Sequence, residues 1–273
     1  MRFAEWNRAK LRAVHVVDTL VVVDLQEALS PLVQGIQDSL IADARKEWDR
    51  FAAGLPGKAG VDFRIVVNSE AAELLAQARD QRADLLVLGS HGHTPGSSIG
   101  PVAAQLLRQS PCRVLLAREG HTGPYKRVVA CVDFSKTSRA ALEAAVRVVA
   151  QDGGKLSVVH VSRPPWTQFH FTPPKIADDP AFQQTYRANV LKRLEDFCRP
   201  ASPETQWVKP NHDVIEHPTH GAAIIELAAN TGADLVVLGT RGRTNLREVL
   251  IGTTAERVVR GATCSILAVK PTD

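Results

Sequence analysis

"ADLLVLGSHGHT", residues 83 to 94, returns as "ADLVVLGTRGRT" at residues 233 to 244, 150 positions later. An apolar run that ends on glycine reads as a buried strand entering a turn. Two further echoes keep nearly the same spacing. "KLRAVHV" (10 to 16) returns as "KLSVVHV" (155 to 161), an offset of 145, and "PCRVLLAR" (111 to 118) returns as "TCSILAVK" (263 to 270), an offset of 152. Three matches in one order mean two copies of one domain. The join falls at "REGHTGPYKR" (118 to 127), where glycine, proline and charge interrupt the apolar pattern, so the expected domains are residues 1–120 and 125–273.

The second copy reads more fully. "RVVACVD" (127 to 133) is a β-branched run, and Ser135 is placed to cap a helix over "KTSRAALEAAVRVVA" (136 to 150). The strand "KLSVVHV" follows, then a Pro-rich loop, the long helix "AFQQTYRANVLKRLEDFC", a strand within 205–217 and the helix "HGAAIIELAANTG". "ADLVVLG", "TAERVVRGA" and "SILAV" complete a strand–helix–strand end. Strands that are apolar almost throughout and alternate with helices belong to a parallel sheet covered on both faces. The expected fold class is α/β, with two tandem doubly wound five-stranded parallel-sheet domains of Rossmann-like type. In such sheets ligands sit beyond the carboxyl ends of the strands, where Asp133 and Gly239 fall.

The first copy lacks its first strand and most of its first helix. Its match to "KLSVVHV" begins at Lys10, whereas the second copy spends residues 128 to 154 on a strand and helix before that point. If the first strand is central, its loss leaves a gap in the sheet, for which the apolar run "TLVVVDL" (19 to 25), a partner chain, or residues upstream of Met1, should Met1 not be the natural start, are the candidate fillings.

Composition limits the partners. Lys and Arg number 33 against 29 Asp and Glu, a surplus too small and dispersed to argue for nucleic acid. Cys112, Cys131, Cys198 and Cys264 form no C-x-x-C pair and read as small buried hydrophobes of a reducing compartment. No run of eighteen apolar residues suggests a membrane span, and a cytoplasmic location is expected.

Gly239 ends a strand, Gly242 lies three residues on, and Gly252-Thr253-Thr254 opens a helix. Backbone without Cβ can approach a phosphate closely, and N–H groups at a helix amino end favour an anion. Hydroxyls of Thr253 and Thr254 add donors. The alternative is that these glycines only turn the chain.

The spacing G-x2-G-x9-G-[ST], together with "VVACVDFSKTSRAAL" and "LSVVHV", resembles the universal stress protein family over essentially the whole chain, as a tandem pair. The resemblance implies ATP, with or without Mg, held without a Walker loop. It implies that Asp133 binds the ribose, Val132 and Val161 line the adenine, and Leu238, Gly239, Arg241 and Gly242 follow ribose and phosphates. Gly252, Thr253 and Thr254 would cradle the phosphate tail. Without the family, Asp133 reads equally as a turn or capping aspartate before Ser135. The first copy departs from the pattern: Gly89, Gly92 and Gly100 are spaced differently, Pro101 stands where Thr253 does, and Asp133 has no counterpart. At most one nucleotide per chain is therefore expected, in the second copy.

No G-x-S-x-G, H-E-x-x-H or Walker motif supports a dedicated enzyme. The expectation is a stress-response sensor or regulator acting on an unknown protein target. A scaffold with vestigial sites and a slow ATPase are the rival readings. By family analogy the terminal strands "RVLLA" and "SILAV" pair the two halves as an intramolecular pseudo-dimer, and pairing of two chains as a homodimer is left open. His15 and His160 read as core histidines, and the "HGH" (91 to 93) and "HPTH" (217 to 220) groups as poor metal sites.

Overall fold

The computed structural model describes residues 1–29, 35–55, 60–89, 99–168, 178–200, 208–242 and 251–271. The chain divides into two compact units, Met1–Arg82 and Ala83–Asp273.

The second unit contains the complete repeat. Its strands β5 (Arg127–Cys131), β6 (Lys155–Ser162), β7 (Asn211–Glu216), β8 (Leu235–Gly239) and β9 (Ser265–Val269) are all parallel, in the spatial order β7-β6-β5-β8-β9. Helices α6 (Lys136–Asp152), α7 (Pro180–Cys198), α8 (His220–Thr231) and α9 (Thr253–Gly261) make the crossovers. Ser135 caps α6 by accepting from the Ser138 amide at 3.1 Å, and Ala141, Leu142, Ala145, Val148 and Val149 bury its inner face. Leu235, Val236 and Val237 of β8 have no exposed surface, as expected of a central strand with helices on both faces.

Two more strands extend this sheet. β3 (Leu85–Gly89) pairs in parallel with β4 (Arg113–Ala117), and β4 pairs antiparallel with β9, giving β3-β4-β9-β8-β5-β6-β7. Helix α5 (Pro101–Gln109) joins β3 to β4. The edge strands "RVLLA" and "SILAV" are therefore joined, Leu115 facing Leu267, and Val114, Leu116, Ile266 and Ala268 are all buried. This removes two exposed edges at once.

The first unit holds helix α1 (Arg2–Trp6), β1 (Leu11–Asp18), α2 (Thr19–Leu29), α3 (Ile36–Ala52), β2 (Val61–Asn68) and α4 (Glu70–Asp80). Among the described residues its sheet consists of β1 and β2, parallel. Arg12 ties them through Asp62 at 2.7 Å, and Trp48 of α3 stacks on Phe63 of β2 with centroids 4.2 Å apart.

The units do not follow the repeats: the first copy's strands are shared between them. In the complete copy the first strand, β5, is central and carries β6 on one side and β8 on the other. Among the described residues no strand of the first copy takes that place, and its strands form two pairs, β1–β2 and β3–β4, in different units. The run "TLVVVDL" does not supply the strand, because it lies in helix α2 with only Val22 of that helix buried. His15 also departs from expectation: it is exposed on β1, whereas its counterpart His160 is half-buried.

Candidate functional site

The order β9-β8-β5-β6-β7 reverses chain direction of travel between β5 and β8, so a crevice forms beyond their carboxyl ends. Three segments meet there. Val132 continues β5, its amide donating to the Val159 carbonyl at 2.9 Å, and Asp133 follows. The Asp133 carboxylate accepts from the Ser135 amide at 3.0 Å and the Ser135 hydroxyl at 2.5 Å through one oxygen, Oδ1. Its other oxygen, Oδ2, lies 2.9 Å from where a Cβ on Gly242 would stand. Asp133 thus performs the turn role that sequence allowed, and it also faces the glycine loop.

Gly239 ends β8 against the first turn of α6, where an added Cβ would meet the Thr137 methyl at 2.9 Å. Both glycines are close-approach positions. Thr240, buried, donates its amide to the Val269 carbonyl at 2.9 Å and accepts from the Gly252 amide at 2.8 Å, which locks the loop after β8 onto the start of α9. Leu238, Val132 and Val161 are buried at the adjacent strand ends.

The Gly252 hydrogen bond narrows the phosphate cradle. Its amide is engaged with the protein itself, so the donors offered at α9 are the first-turn amides of Thr253, Thr254 and Ala255, which donate to no acceptor among the described residues. Gly252 caps α9 in an extended conformation without a side-chain bond, Thr253 is exposed and Thr254 half-buried. Residues 243–250 of the motif loop lie outside the described residues, as do Gly92 and the "HGH" histidines.

Sequence reading passed over two contributors, Phe134 and Lys270, and read a third, His160, only as a core histidine. Phe134 sits at φ +65°, a left-handed conformation that costs a non-glycine residue about 1 kcal/mol. Aromatic packing holds it: His160 at 4.5 Å, Phe197 edge-on at 5.6 Å and the Arg193 guanidinium over its ring at 4.2 Å. That sharp turn directs Asp133 toward Gly242. His160 contacts the Val132 carbonyl through Nδ1 at 2.8 Å, and because a carbonyl only accepts, Nδ1 carries the proton. Burial holds its imidazole below the ordinary value, so this histidine is neutral and satisfied.

The other residue passed over is Lys270, one residue beyond β9. Its ammonium donates to the carbonyls of Leu107 and, at 3.1 Å, Arg108 at the end of α5, a favourable place for a cation. Burial, then the charge of Arg241, push it down to about 8. Positive charge therefore gathers beyond β8 and β9. The repeat offered a signal, since Lys270 aligns with Arg118.

A cavity of about 370 Å³ opens at the opposite ends of the strands, lined by Arg118, His121, Arg127, Asp234, Thr263 and Cys264 among others. None of the motif glycines lines it, and Asp234 there accepts from the amides of Lys126 and Arg127. Its place gives it no part in the crevice. Among the described residues no three His, Cys, Asp or Glu side chains converge as a metal site, and no helix is long and apolar enough to cross a membrane. Trp166 of the Pro-rich loop packs on Phe182 and Tyr186 of α7, at 5.4 and 4.8 Å, while Phe169 and Phe171 lie outside the described residues.

A family model described as "Universal stress protein family" matches residues 1–118 and 124–270. The chain is 29% identical over 147 residues to "Universal stress protein A homolog 1" of Coxiella burnetii, covering 53% of this chain and 96% of that protein. It is 24% identical over 284 residues to "Universal stress protein E" of Photorhabdus laumondii, covering 95% of this chain and 89% of that one. Among solved structures, a universal stress protein from Archaeoglobus fulgidus superposes with a TM-score of 0.61 at 20% identity, over 97% of this chain and 88% of the other.

Proposed function

The chain belongs to the universal stress protein family, and we propose that its C-terminal copy binds one ATP in the crevice between β5 and β8 and uses that occupancy as a regulatory signal. One observation carries the reading: Asp133 and Gly242 approach so closely that a methyl group does not fit between them, with the start of α9 tied to the same loop through Thr240. An ionised carboxylate accepts ribose hydroxyls, bare amides and threonine hydroxyls donate to phosphates, and Arg241 and Lys270 bring charge of the matching sign. Val132 and Val161 flank the position for adenine. Mg would enter on the nucleotide's own phosphates, and the cytoplasm supplies both. The N-terminal copy is silent, because Pro101 removes an N–H and a hydroxyl from the equivalent helix start.

The test is calorimetric titration of the purified chain with ATP, together with identification of any nucleotide released on denaturation. Asp133→Ala and Gly239→Val should abolish binding while Gly89→Val leaves it intact; equal losses from both halves would remove the assignment.

The bond from the Gly252 amide to Thr240 favours a second reading, a scaffold with a closed site that works through protein contacts. No bound nucleotide and no heat on titration with ATP, ADP or AMP would select it.

A further inference from the structure

The cavity at the amino-terminal ends of β5 and β8 lies wholly within the second unit, and it is built where the two repeats join. Arg118 follows β4, the last strand of the first copy, and Arg127 opens β5, the first strand of the second. Between them the chain is folded rather than slack. A turn from Arg118 to His121 is closed by the His121 amide, which donates to the Arg118 carbonyl at 3.2 Å, with Gly120 at φ +77°. The His121 imidazole then stacks on Tyr125, ring centroids 4.4 Å apart, and Tyr125 is buried with its amide donating to the Asp152 carboxylate at 2.7 Å.

The polar groups of this lining leave donors over and acceptors occupied. Asp234 is its acidic side chain, and both carboxylate oxygens already accept from backbone, Oδ2 from the Lys126 amide at 2.8 Å and Oδ1 from the Arg127 amide at 3.0 Å. Arg127 gives one N–H, Nε, to the Gly232 carbonyl at 2.5 Å, and its terminal amino groups have no acceptor among the described residues. Arg118 is engaged through its amide, which donates to Ser265 Oγ at 3.0 Å, while its guanidinium has no acceptor among the described residues. The aligned residue of the second copy, Lys270, differs in that its ammonium is bound to the carbonyls at the end of α5. His121 Nε2 is buried without a hydrogen-bond partner, and an orphaned buried nitrogen marks a polar network that is incomplete without a further group. The end of α8 contributes Ala228 and Ala229, whose side chains are too short to fill the space. At about 370 Å³ the cavity has the size of a small-molecule site rather than of a single ion.

We propose that this cavity binds a small organic phosphate, its oxygens held by the Arg118 and Arg127 guanidiniums and accepting from His121 Nε2, its organic body against the alanines of α8. Guanidinium groups suit phosphate because their paired N–H donors match its oxygens. Donors reach the cavity from three points of the chain, so a tetrahedral group with three outer oxygens meets them better than a planar carboxylate with two. The site stands apart from the crevice, at the opposite ends of the same strands, and does not depend on what the crevice holds. Its ligand would tie the end of the first repeat to the start of the second.

Calorimetric titration of the full chain with propyl phosphate tests this. Saturable binding is expected, with a raised melting temperature and slowed amide exchange over residues 118–127. Arg118→Gln removes the charge and keeps the backbone bond to Ser265, and His121→Phe keeps a ring to stack on Tyr125 and removes Nε2. Each should weaken propyl phosphate binding about tenfold or more while the melting temperature without ligand holds. No saturable binding at millimolar propyl phosphate overturns the proposal. So does binding that both variants retain; if Asp133→Asn removes it instead, the phosphate sits in the crevice. Butyrate binding as tightly as propyl phosphate overturns the assignment of the ligand as a phosphate.

Discussion

Asp133 holds the turn before Ser135, and one substitution separates that task from the proposed contact with ribose. Asp133→Asn keeps an acceptor oxygen for the Ser135 amide, so the melting temperature should hold, yet it loses the charge that favours ribose hydroxyls. ATP affinity should fall about tenfold or more by calorimetry; an unchanged affinity would leave Asp133 as a turn residue alone. Lys270 makes stability pH-dependent. Its ammonium is lowered to about 8 in the folded chain against 10.5 when exposed, so between those values the unfolded chain binds more protons and stability rises with pH. Lys270→Met should flatten that rise in denaturant titrations. A phosphate drawn to Arg241 pulls the Lys270 value back up, so ATP binding near pH 8 should take up protons, measurable by calorimetry in buffers of different ionisation enthalpy. The cysteines behave differently: burial pushes Cys131 up to about 12 and Cys198 to about 11, so they stay protonated, and thiol reagents should label the native chain far more slowly than the unfolded one.

At the scale of elements, α6 is the piece on which the site leans. It places Ser135 on Asp133, Thr137 on Gly239, and a buried alanine and valine face on β8. Ser135→Ala removes its cap and the hydroxyl bond to Asp133 together, at a cost of about 1 kcal/mol. A lowered melting temperature should accompany weakened ATP binding, since both depend on the same turn. Elements of the complete copy were legible because local pattern and tertiary environment agree there: β5, α6, β6, α7, β7, α8, β8, α9 and β9 all appear in the order read. Helix α2 was not, because a short apolar run such as "TLVVVDL" has no period that separates strand from helix, and no neighbouring strand recruits it.

For the molecule as a whole, the two units should differ in stability. The first has a sheet of two strands and exposes Trp6, Leu20, Val21, Val23, Leu29 and Phe51, while the second buries most of seven strands. A two-stranded sheet is marginal without more packing. Amides of β1 and β2 should exchange roughly 100-fold faster than those of β5 and β8, by mass spectrometry of deuterium uptake. Sequence by itself determined the duplication, the α/β class and the glycine spacing, because each is a matter of pattern along the chain. The pairing of β4 with β9 was expected from the family resemblance; only the tertiary structure decided that the first copy's strands part into two pairs in different units. It alone showed that the Gly252 amide is already bonded, that Phe134 is held in a left-handed turn by aromatic packing and that Lys270 donates to the end of α5. These depend on which residues, far apart in the chain, come within a few ångströms, and no local period encodes that.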